Sequence, residues 1–263
     1  MSNIERAFGG RFAANQGKAF ITFITCGDPD LKTTATCVRA AVAGGADLIE
    51  LGIPFSDPTA EGPVIQAANE RALKGGVTTD KIFDLVRELR RDVHVPMVFM
   101  TYANVVYSYG IECFCDQCVE TGIDGMILPD VPFEEKEEFA PACRVRGLSF
   151  VSLIAPTSEN RVATIAREAE GFMYIVSSLG VTGVRSEITT DIGAMVRLVR
   201  ANTSIPCAVG FGISRPEQAK KMADLSDGAI VGSAIVRLIA EHGAEAPARV
   251  YEYVKSMKEG MGA

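Results

Sequence analysis

Acidic side chains are the groups in this sequence whose positions most suggest chemistry. Glu50 lies inside the short apolar run Asp47–Leu51, between Ile49 and Leu51. Isolated acids are rarely buried, and a carboxyl group in an apolar pocket has a raised pKa that suits proton transfer. A structural ion pair is the alternative explanation. Glu50 is therefore a candidate acid–base catalyst.

The loop after this run contains further carboxylates. The segment Gly52–Pro63 has three prolines and two glycines, which indicates a long loop with a defined shape. Asp57 and Glu61 lie within it, and either side chain could contact a ligand. Each acid by itself is more often a turn former or a solvated charge, so the loop only adds candidates.

Glycine-rich segments end or follow three later apolar runs. They are Ser177–Gly183, Gly210–Gly212 and the pair Gly232 and Ser233, which directly precedes a short helical segment. Glycine lets backbone N–H groups approach an anion closely, a helix N-terminus attracts negative charge, and the Ser233 hydroxyl is a further donor. Together these segments predict a phosphate ligand.

Several residue types that other chemistries need are missing from the expected positions. The apolar runs contain no lysine, which argues against a Schiff-base mechanism, and the two histidines, His94 and His242, lie outside the runs. The cluster Cys113, Cys115 and Cys118 falls in a predicted helix that turns the first two side chains to different faces, so free thiols are expected rather than metal ligands. Any carbon–carbon cleavage would then depend on carboxylates.

Eight short apolar runs alternate with helical segments, and this order predicts the fold. Strand–helix alternation indicates a parallel α/β protein, and eight repeats in about 250 residues indicate a (β/α)8 TIM barrel. We expect a single domain over residues 1–263 with extra helices. An open doubly wound sheet is disfavoured because no nucleotide loop follows the first run. The runs are Phe20–Thr25, Asp47–Leu51, Met97–Met100, Gly125–Leu128, Phe150–Ile154, Phe172–Val176, Cys207–Phe211 and Ala229–Val231.

The overall composition is that of a globular protein. Of the 263 residues, 48% are hydrophobic and 22% are charged, and the formal net charge is −7. This charge gives no electrostatic reason to expect nucleic acid or an anionic membrane as a partner. The N-terminal residues lack a signal-peptide pattern, and no apolar run has the roughly 20 residues of a membrane span. We expect a soluble cytoplasmic protein.

Five blocks of sequence resemble the tryptophan synthase α subunit family in the same order. The longest is Leu48–Pro58 with Gly62–Gln66 after it. The others are Met100–Asn104, Asp130–Pro132, Gly180–Gly183 and Gly210–Ser214. The resemblance covers essentially the whole chain, and the first block is long and specific.

The resemblance implies a lyase that cleaves indole-3-glycerol phosphate to indole and D-glyceraldehyde 3-phosphate by carboxylate acid–base catalysis. It implies no cofactor and no metal in this chain. It also implies an α2β2 heterotetramer in which indole passes to a β subunit that holds pyridoxal phosphate. The loop Pro54–Pro63 and a lid at Ser178–Ile188 would face that partner.

The same resemblance assigns roles to individual residues. Glu50 matches the catalytic glutamate that transfers protons at the glycerol 3′-hydroxyl and at indole C3. Glu61 stands where the family has an aspartate that accepts a hydrogen bond from the indole N–H. The expected substrate-binding residues are those around the indole ring (Phe23, Ile65, Met100, Tyr102, Ile127, Ile154, Tyr174 and Ile230), the lid residue Thr182, and those of the phosphate site (Gly183, Phe211, Gly212, Gly232 and Ser233).

The sequence departs from the family pattern in three places. Glu61 is one methylene longer than aspartate, which adds roughly 1.5 Å of reach. Thr59 stands where many members have leucine, and Ser178–Leu179 stands where some have Arg-Ser. These departures leave open a weakened barrel that acts mainly as an allosteric effector of the β subunit. A sugar-phosphate isomerase or epimerase is a further alternative, which the apolar ring of contacts disfavours.

Overall fold

The strands of the described residues form one parallel sheet. The computed structural model describes residues 2–5, 7–8, 18–156, 159–176, 191–210 and 212–262. Within them, nine strands follow the order β5-β4-β3-β2-β1-β9-β8-β7-β6. Their bounds are β1 Ala19–Thr25, β2 Leu48–Gly52, β3 Met97–Met100, β4 Gly125–Ile127, β5 Ser149–Phe150, β6 Leu153–Ile154, β7 Met173–Val176, β8 Cys207–Gly210 and β9 Gly228–Val231.

The two outermost strands in this order, β5 and β6, belong to one run of chain, and this run closes the sheet. The Val151 amide donates to the Met126 carbonyl at 2.9 Å, and the Tyr174 amide donates to the Ser152 carbonyl at 3.1 Å. The run thus pairs with β4 on one side and with β7 on the other. The nine strands occupy eight positions of a closed ring, which confirms the predicted (β/α)8 barrel.

Helices connect the parallel strands and cover the outside of the ring. Extra helices follow β2 and β3, and the last helix packs against the first. The segment from Glu134 to Arg146 does not form one continuous α-helix, because a 3-10 helix, Phe133–Glu138, is followed by a short α-helix. Pro141 lies at the start of that second piece, where its missing N–H is tolerated. The α-helices are α1 Leu31–Gly44, α2 Pro63–Lys74, α3 Thr79–Leu89, α4 Ala103–Tyr109, α5 Ile111–Thr121, α6 Ala140–Arg144, α7 Glu159–Arg167, α8 Ile192–Arg200, α9 Pro216–Leu225, α10 Ser233–His242 and α11 Ala246–Gly260. None of the helices in the described ranges is long and apolar enough to cross a membrane.

Buried side chains form two apolar layers because successive residues of a strand point to opposite faces of the sheet. Along β1, Phe20 and Ile24 belong to the outer layer between strands and helices, and Ile21 belongs to the layer inside the barrel. Along β2, Leu48 lies inside and Ile49 outside. The same alternation turns Glu50 toward the interior.

A buried ion pair joins the last helix to the edge of the barrel. Lys258 Nζ lies 2.6 Å from Asp47 Oδ2, and their side chains are only 7% and 2% exposed. The same Asp47 oxygen accepts the Phe20 amide at 2.7 Å. Removing the lysine alone would leave a carboxylate in the core with one partner fewer.

Replacing Lys258 with alanine should therefore lower the free energy of unfolding by roughly 3 kcal/mol. Urea denaturation monitored by circular dichroism measures this change. Lys220→Ala is the matched control, because Lys220 pairs with Asp224 at 3.2 Å on the surface, with side chains 55% and 57% exposed. Its loss should stay below about 1 kcal/mol. Equal losses in the two variants would contradict the structural role of the buried pair.

Candidate active site

Glu50 is completely buried on the inner face of β2. It is paired in register with Phe23 of β1 and Val98 of β3. Its exposed fraction is 0%, and neither carboxylate oxygen has a hydrogen-bond partner among the described residues. No described residue forms an ion pair with Glu50, so the structural ion pair that the sequence left as an alternative is wrong for this part of the chain. Burial raises the pKa of Glu50 to about 8.

A pocket at the carboxyl ends of the strands contains Glu50. Nine of the sequence-predicted site residues line it, together with Ile213, which no sequence motif indicates as a site residue. Its lining is largely apolar and also includes the acid Glu50 and two glycines. The lining residues are Phe23, Glu50, Ile65, Met100, Tyr174, Gly212, Ile213, Ile230, Gly232 and Ser233.

Tyr174 stands beside Glu50 in the barrel interior. It is buried, and burial together with the negative charge of Glu50 raises its pKa well above the usual range. Gly210 of the neighbouring strand leaves the space that the tyrosine ring occupies. A Cβ atom at Gly210 would lie 2.6 Å from Tyr174 Oη.

Replacing Gly210 with alanine should thus displace Tyr174 and disturb the pocket next to Glu50. We expect the activity that the family resemblance implies, indole formation, to fall by about 10- to 100-fold, since displacements near 1 Å can have such effects. Steady-state assays with indole-3-glycerol phosphate measure the loss. Gly76→Ala is the control, because nothing lies within 4 Å of a Cβ there and its positive φ of 76° makes the change costly for stability rather than for the site. Unchanged activity in Gly210→Ala would contradict the role of this packing.

The N-terminus of α10 forms one edge of the pocket. Gly232 precedes the helix, Ser233 is its first residue, and both line the pocket. Gly212, also at the pocket, has a φ of 82°, a conformation that favours glycine. Unpaired N–H groups and the helix dipole at such a terminus suit a phosphate group.

Glu61 ends the loop after β2, immediately before α2. Asn69 of α2 donates from Nδ2 to Glu61 Oε2 at 2.7 Å. Burial raises the pKa of Glu61 to about 7, and the hydrogen bond from Asn69 opposes this increase. Glu61 does not itself line the pocket, whereas Ile65, one turn further along the chain, does.

Tyr102 supports the same loop from the chain after β3. Its hydroxyl oxygen accepts the Ala60 amide at 3.1 Å, and its ring packs against Phe55 with centroids 5.2 Å apart. Burial and, after it, the negative charge of Glu61 raise the pKa of Tyr102. This residue therefore holds the loop in place and does not line the pocket.

Besides Tyr102, two predicted indole contacts lie outside the pocket lining. Ile127 is buried in the inner apolar layer, close to the pocket but not in its lining. Ile154 needs a correction, because its side chain belongs to the outer layer between the sheet and the helices. Leu153 packs in the inner layer instead. A shift of one residue along a strand reverses the face of the sheet.

Some predictions fall on residues outside the described ranges. They concern Thr182, Gly183 and Phe211, and the lid segment 178–188 that would contain the first two. Sequence reasoning also missed α2 as a helix, and with it Asn69. Its signal was present, since Ile65, Ala68, Asn69 and Ala72 follow helical spacing and are all buried.

The cysteines are free thiols, as predicted. Cys113 is exposed and Cys115 and Cys118 are buried, in agreement with different faces of α5. Within the described residues, no group of three or more histidine, cysteine or acidic side chains could hold a metal ion.

The ring of strands and the pocket at their carboxyl ends place the chain in the class of (β/α)8 barrels with a site at that end. A sequence model described as tryptophan synthase alpha chain matches residues 11–262. A tryptophan synthase alpha chain of Lacticaseibacillus casei is 45% identical over 246 residues, which are 94% of this chain and 92% of the relative.

Solved structures agree with this match. The tryptophan synthase subunit alpha of Legionella pneumophila str. Paris superposes with a TM-score of 0.90 at 36% identity, covering 100% of this chain and 99% of that one. A chain of the tryptophan synthase complex from Pyrococcus furiosus gives a TM-score of 0.84 at 35% identity, covering 91% of this chain and 97% of that one. The chain belongs to the tryptophan synthase α chain family.

The α chains of this family are lyases that convert indole-3-glycerol phosphate to indole and glyceraldehyde 3-phosphate. They carry no cofactor of their own. The indole passes to a β chain, which holds pyridoxal phosphate, in an α2β2 assembly.

Proposed function

We propose that the pocket around Glu50 binds indole-3-glycerol phosphate and cleaves it with Glu50 and Glu61 as the catalytic residues. The carboxyl group of Glu50, buried and without a hydrogen-bond partner among the described residues, is the observation that carries this proposal. Burying such a group costs stability, so its presence at an apolar pocket favours a catalytic role.

Glu50 is suited to transfer both protons of the reaction. With a pKa of about 8, it is largely protonated at neutral pH and can donate its proton to indole C3. Breaking the C3–C3′ bond then returns an electron pair to the ring and forms the aldehyde. The resulting carboxylate accepts the proton of the 3′-hydroxyl group. Glu50 thereby regains its acid form, and the protons balance without a cofactor.

Glu61 acts on the ring nitrogen. Protonation at C3 leaves the indole ring positively charged, with much of the charge at the N–H. A carboxylate that accepts a hydrogen bond from this N–H stabilises the cation most strongly in the transition state. Its half-buried position strengthens the interaction because fewer water molecules screen the charge.

The remaining pocket residues bind and orient the substrate. Apolar side chains hold the flat ring, with Phe23, Ile65, Met100, Tyr174 and Ile230 in the lining. Gly212, Gly232 and Ser233 hold the phosphate at the start of α10. Gly183, Phe211 and Thr182, outside the described residues, complete the site in this proposal. Fixing both ends of the substrate aligns its C3–C3′ bond with Glu50.

An indole-release assay tests the proposed function. The chain is incubated with indole-3-glycerol phosphate, alone and with a β chain, and free indole is measured. Indole release in either condition supports the lyase. If indole-3-propanol phosphate, the unreactive analogue, binds while no indole forms, and a β chain is nevertheless activated, the weakened-effector alternative holds instead. Failure of the analogue to bind would contradict the site itself.

In this proposal residues 1–263 act as one barrel domain in the cytoplasm. The loop from Pro54 to Pro63 faces the β chain, because it lies at the carboxyl end of the barrel, where indole must leave.

A further inference from the structure

We propose that Asn69 is a positioning residue that orients the Glu61 carboxylate toward the indole N–H. The proposal rests on the role assigned to Glu61 above. Asn69 donates to Glu61 Oε2, and in this proposal the other oxygen accepts from the substrate.

The position of Asn69 on α2 supports this role. Its side chain is only 3% exposed, and its Nδ2 atom donates to Glu61 Oε2 at 2.7 Å. Ile65 lies four residues earlier on the same face of the helix and lines the pocket. One helical face thus carries both an indole contact and the partner of Glu61, which fixes their relative positions.

Other hydrogen bonds to this loop hold its backbone rather than the carboxylate. The exposed Gln66 donates from Nε2 to the Glu61 carbonyl at 2.7 Å, and Tyr102 accepts the Ala60 amide at 3.1 Å. These contacts set where the Glu61 backbone lies. Within the described residues, Asn69 is the side chain that contacts the carboxylate and so decides its direction.

The contact also depends on the length of glutamate. An aspartate on the same backbone would be shorter by roughly 1.5 Å, and a 2.7 Å hydrogen bond would be lost at that separation. Glu61 is one methylene longer than aspartate, and the hydrogen bond from Asn69 holds this longer side chain in one direction.

Asn69 also favours the ionised form that the reaction requires. Burial raises the pKa of Glu61, and the Asn69 hydrogen bond lowers it. Tyr102 is the titratable group that faces Glu61 from the chain after β3, and its own raised pKa keeps it neutral across the working range. Without Asn69 the pKa of Glu61 would rise. As the pH is lowered, Glu61 would then become protonated, and activity would be lost, at a higher pH than in the wild type.

The test is the pH dependence of kcat for indole release in the wild-type, Asn69→Ala and Gln66→Ala proteins. Asn69→Ala should lower kcat at neutral pH by about 10-fold. It should also move the acid limb, the part of the profile where kcat falls on acidification, to higher pH by about one pH unit, as expected for one lost hydrogen bond to a charged group. Gln66→Ala is the matched control, since it removes a contact to the backbone carbonyl, and its acid limb should stay at the wild-type position.

Two further variants keep the outcomes distinguishable. In Glu61→Asp, adding Asn69→Ala should change kcat less than twofold, because the shorter acid no longer contacts Asn69. Circular dichroism shows whether the alanine variant folds. If it does not fold, Asn69→Ser replaces it in the test and should move the acid limb in the same direction. A wild-type acid limb in a folded Asn69 variant, while Glu61→Ala is inactive, would overturn the positioning role alone. Full activity of Glu61→Ala would overturn the proposed role of Glu61 itself.

Discussion

Glu50→Gln should reduce indole formation by about 10³-fold or more while the barrel remains folded. Glutamine has nearly the same shape but cannot donate a proton to indole C3 or accept one from the 3′-hydroxyl group. Both proton transfers would then depend on water, and general acid–base catalysis typically contributes about 10²- to 10⁴-fold. Single-turnover assays with indole-3-glycerol phosphate measure the chemical step, and binding of the propanol analogue reports on the pocket. Normal turnover in this variant would remove Glu50 from the mechanism.

The same variant should be more stable than the wild type at alkaline pH. The pKa of Glu50 is about 8 in the folded protein, against an ordinary value of 4.5. Between these values the folded state binds more protons than the unfolded state, so wild-type stability decreases as pH rises from about 4.5 toward 8. Glutamine does not titrate. The free energy of unfolding of Glu50→Gln should therefore exceed that of the wild type by an amount that grows over this interval to roughly a few kcal/mol.

Urea unfolding at pH values on both sides of this interval measures the effect. The control is Glu70→Gln, in which the replaced side chain is 69% exposed and pairs with Lys74 on the surface of α2. Its stability relative to the wild type should change little with pH. If Glu50→Gln followed the wild-type pH dependence, the buried acid would not have the raised pKa on which its chemistry depends.

Glu61→Ala should lower kcat by about 10²- to 10³-fold, the usual effect of removing one group that stabilises transition-state charge. The indole ring is neutral in the bound substrate and positive only as C3 is protonated. Loss of the carboxylate should therefore affect kcat far more than binding of the propanol analogue. Steady-state kinetics and calorimetric titration with the analogue separate the two quantities.

Glu61→Asp and Glu61→Gln are the matched comparisons for this residue. Aspartate keeps the charge but is shorter, and glutamine keeps the length but is neutral. Both should retain more activity than alanine. A Glu61→Ala protein that lost analogue affinity and kcat in equal proportion would indicate a binding role in place of charge stabilisation.

Much of the architecture could be predicted from local patterns. Each apolar run, such as Phe20–Thr25, becomes a buried strand because few other conformations bury such short segments on both faces. Eight runs separated by helices leave a closed barrel as the arrangement that buries them all. Glu50 was recognisable for the same reason, since an acid among strand residues stands out.

Other features depend on contacts between distant segments, which no local pattern reports. Leu153 and Ile154 are both apolar, so the sequence does not show which of them faces the barrel interior. Only the register with β7 decides this. Lys258 meets Asp47 across 211 positions of sequence, and Asn69 meets Glu61 only after α2 has packed on the barrel.

The sequence by itself therefore determined the order of strands and helices, the barrel they form and the residue types available for chemistry. Only the tertiary structure decided which of those side chains share a pocket, how deeply Glu50 is buried, and which neighbour directs Glu61. The reason is physical: secondary structure follows from short-range periodicity, whereas burial, pKa and hydrogen-bond partners follow from three-dimensional packing of segments far apart in the chain.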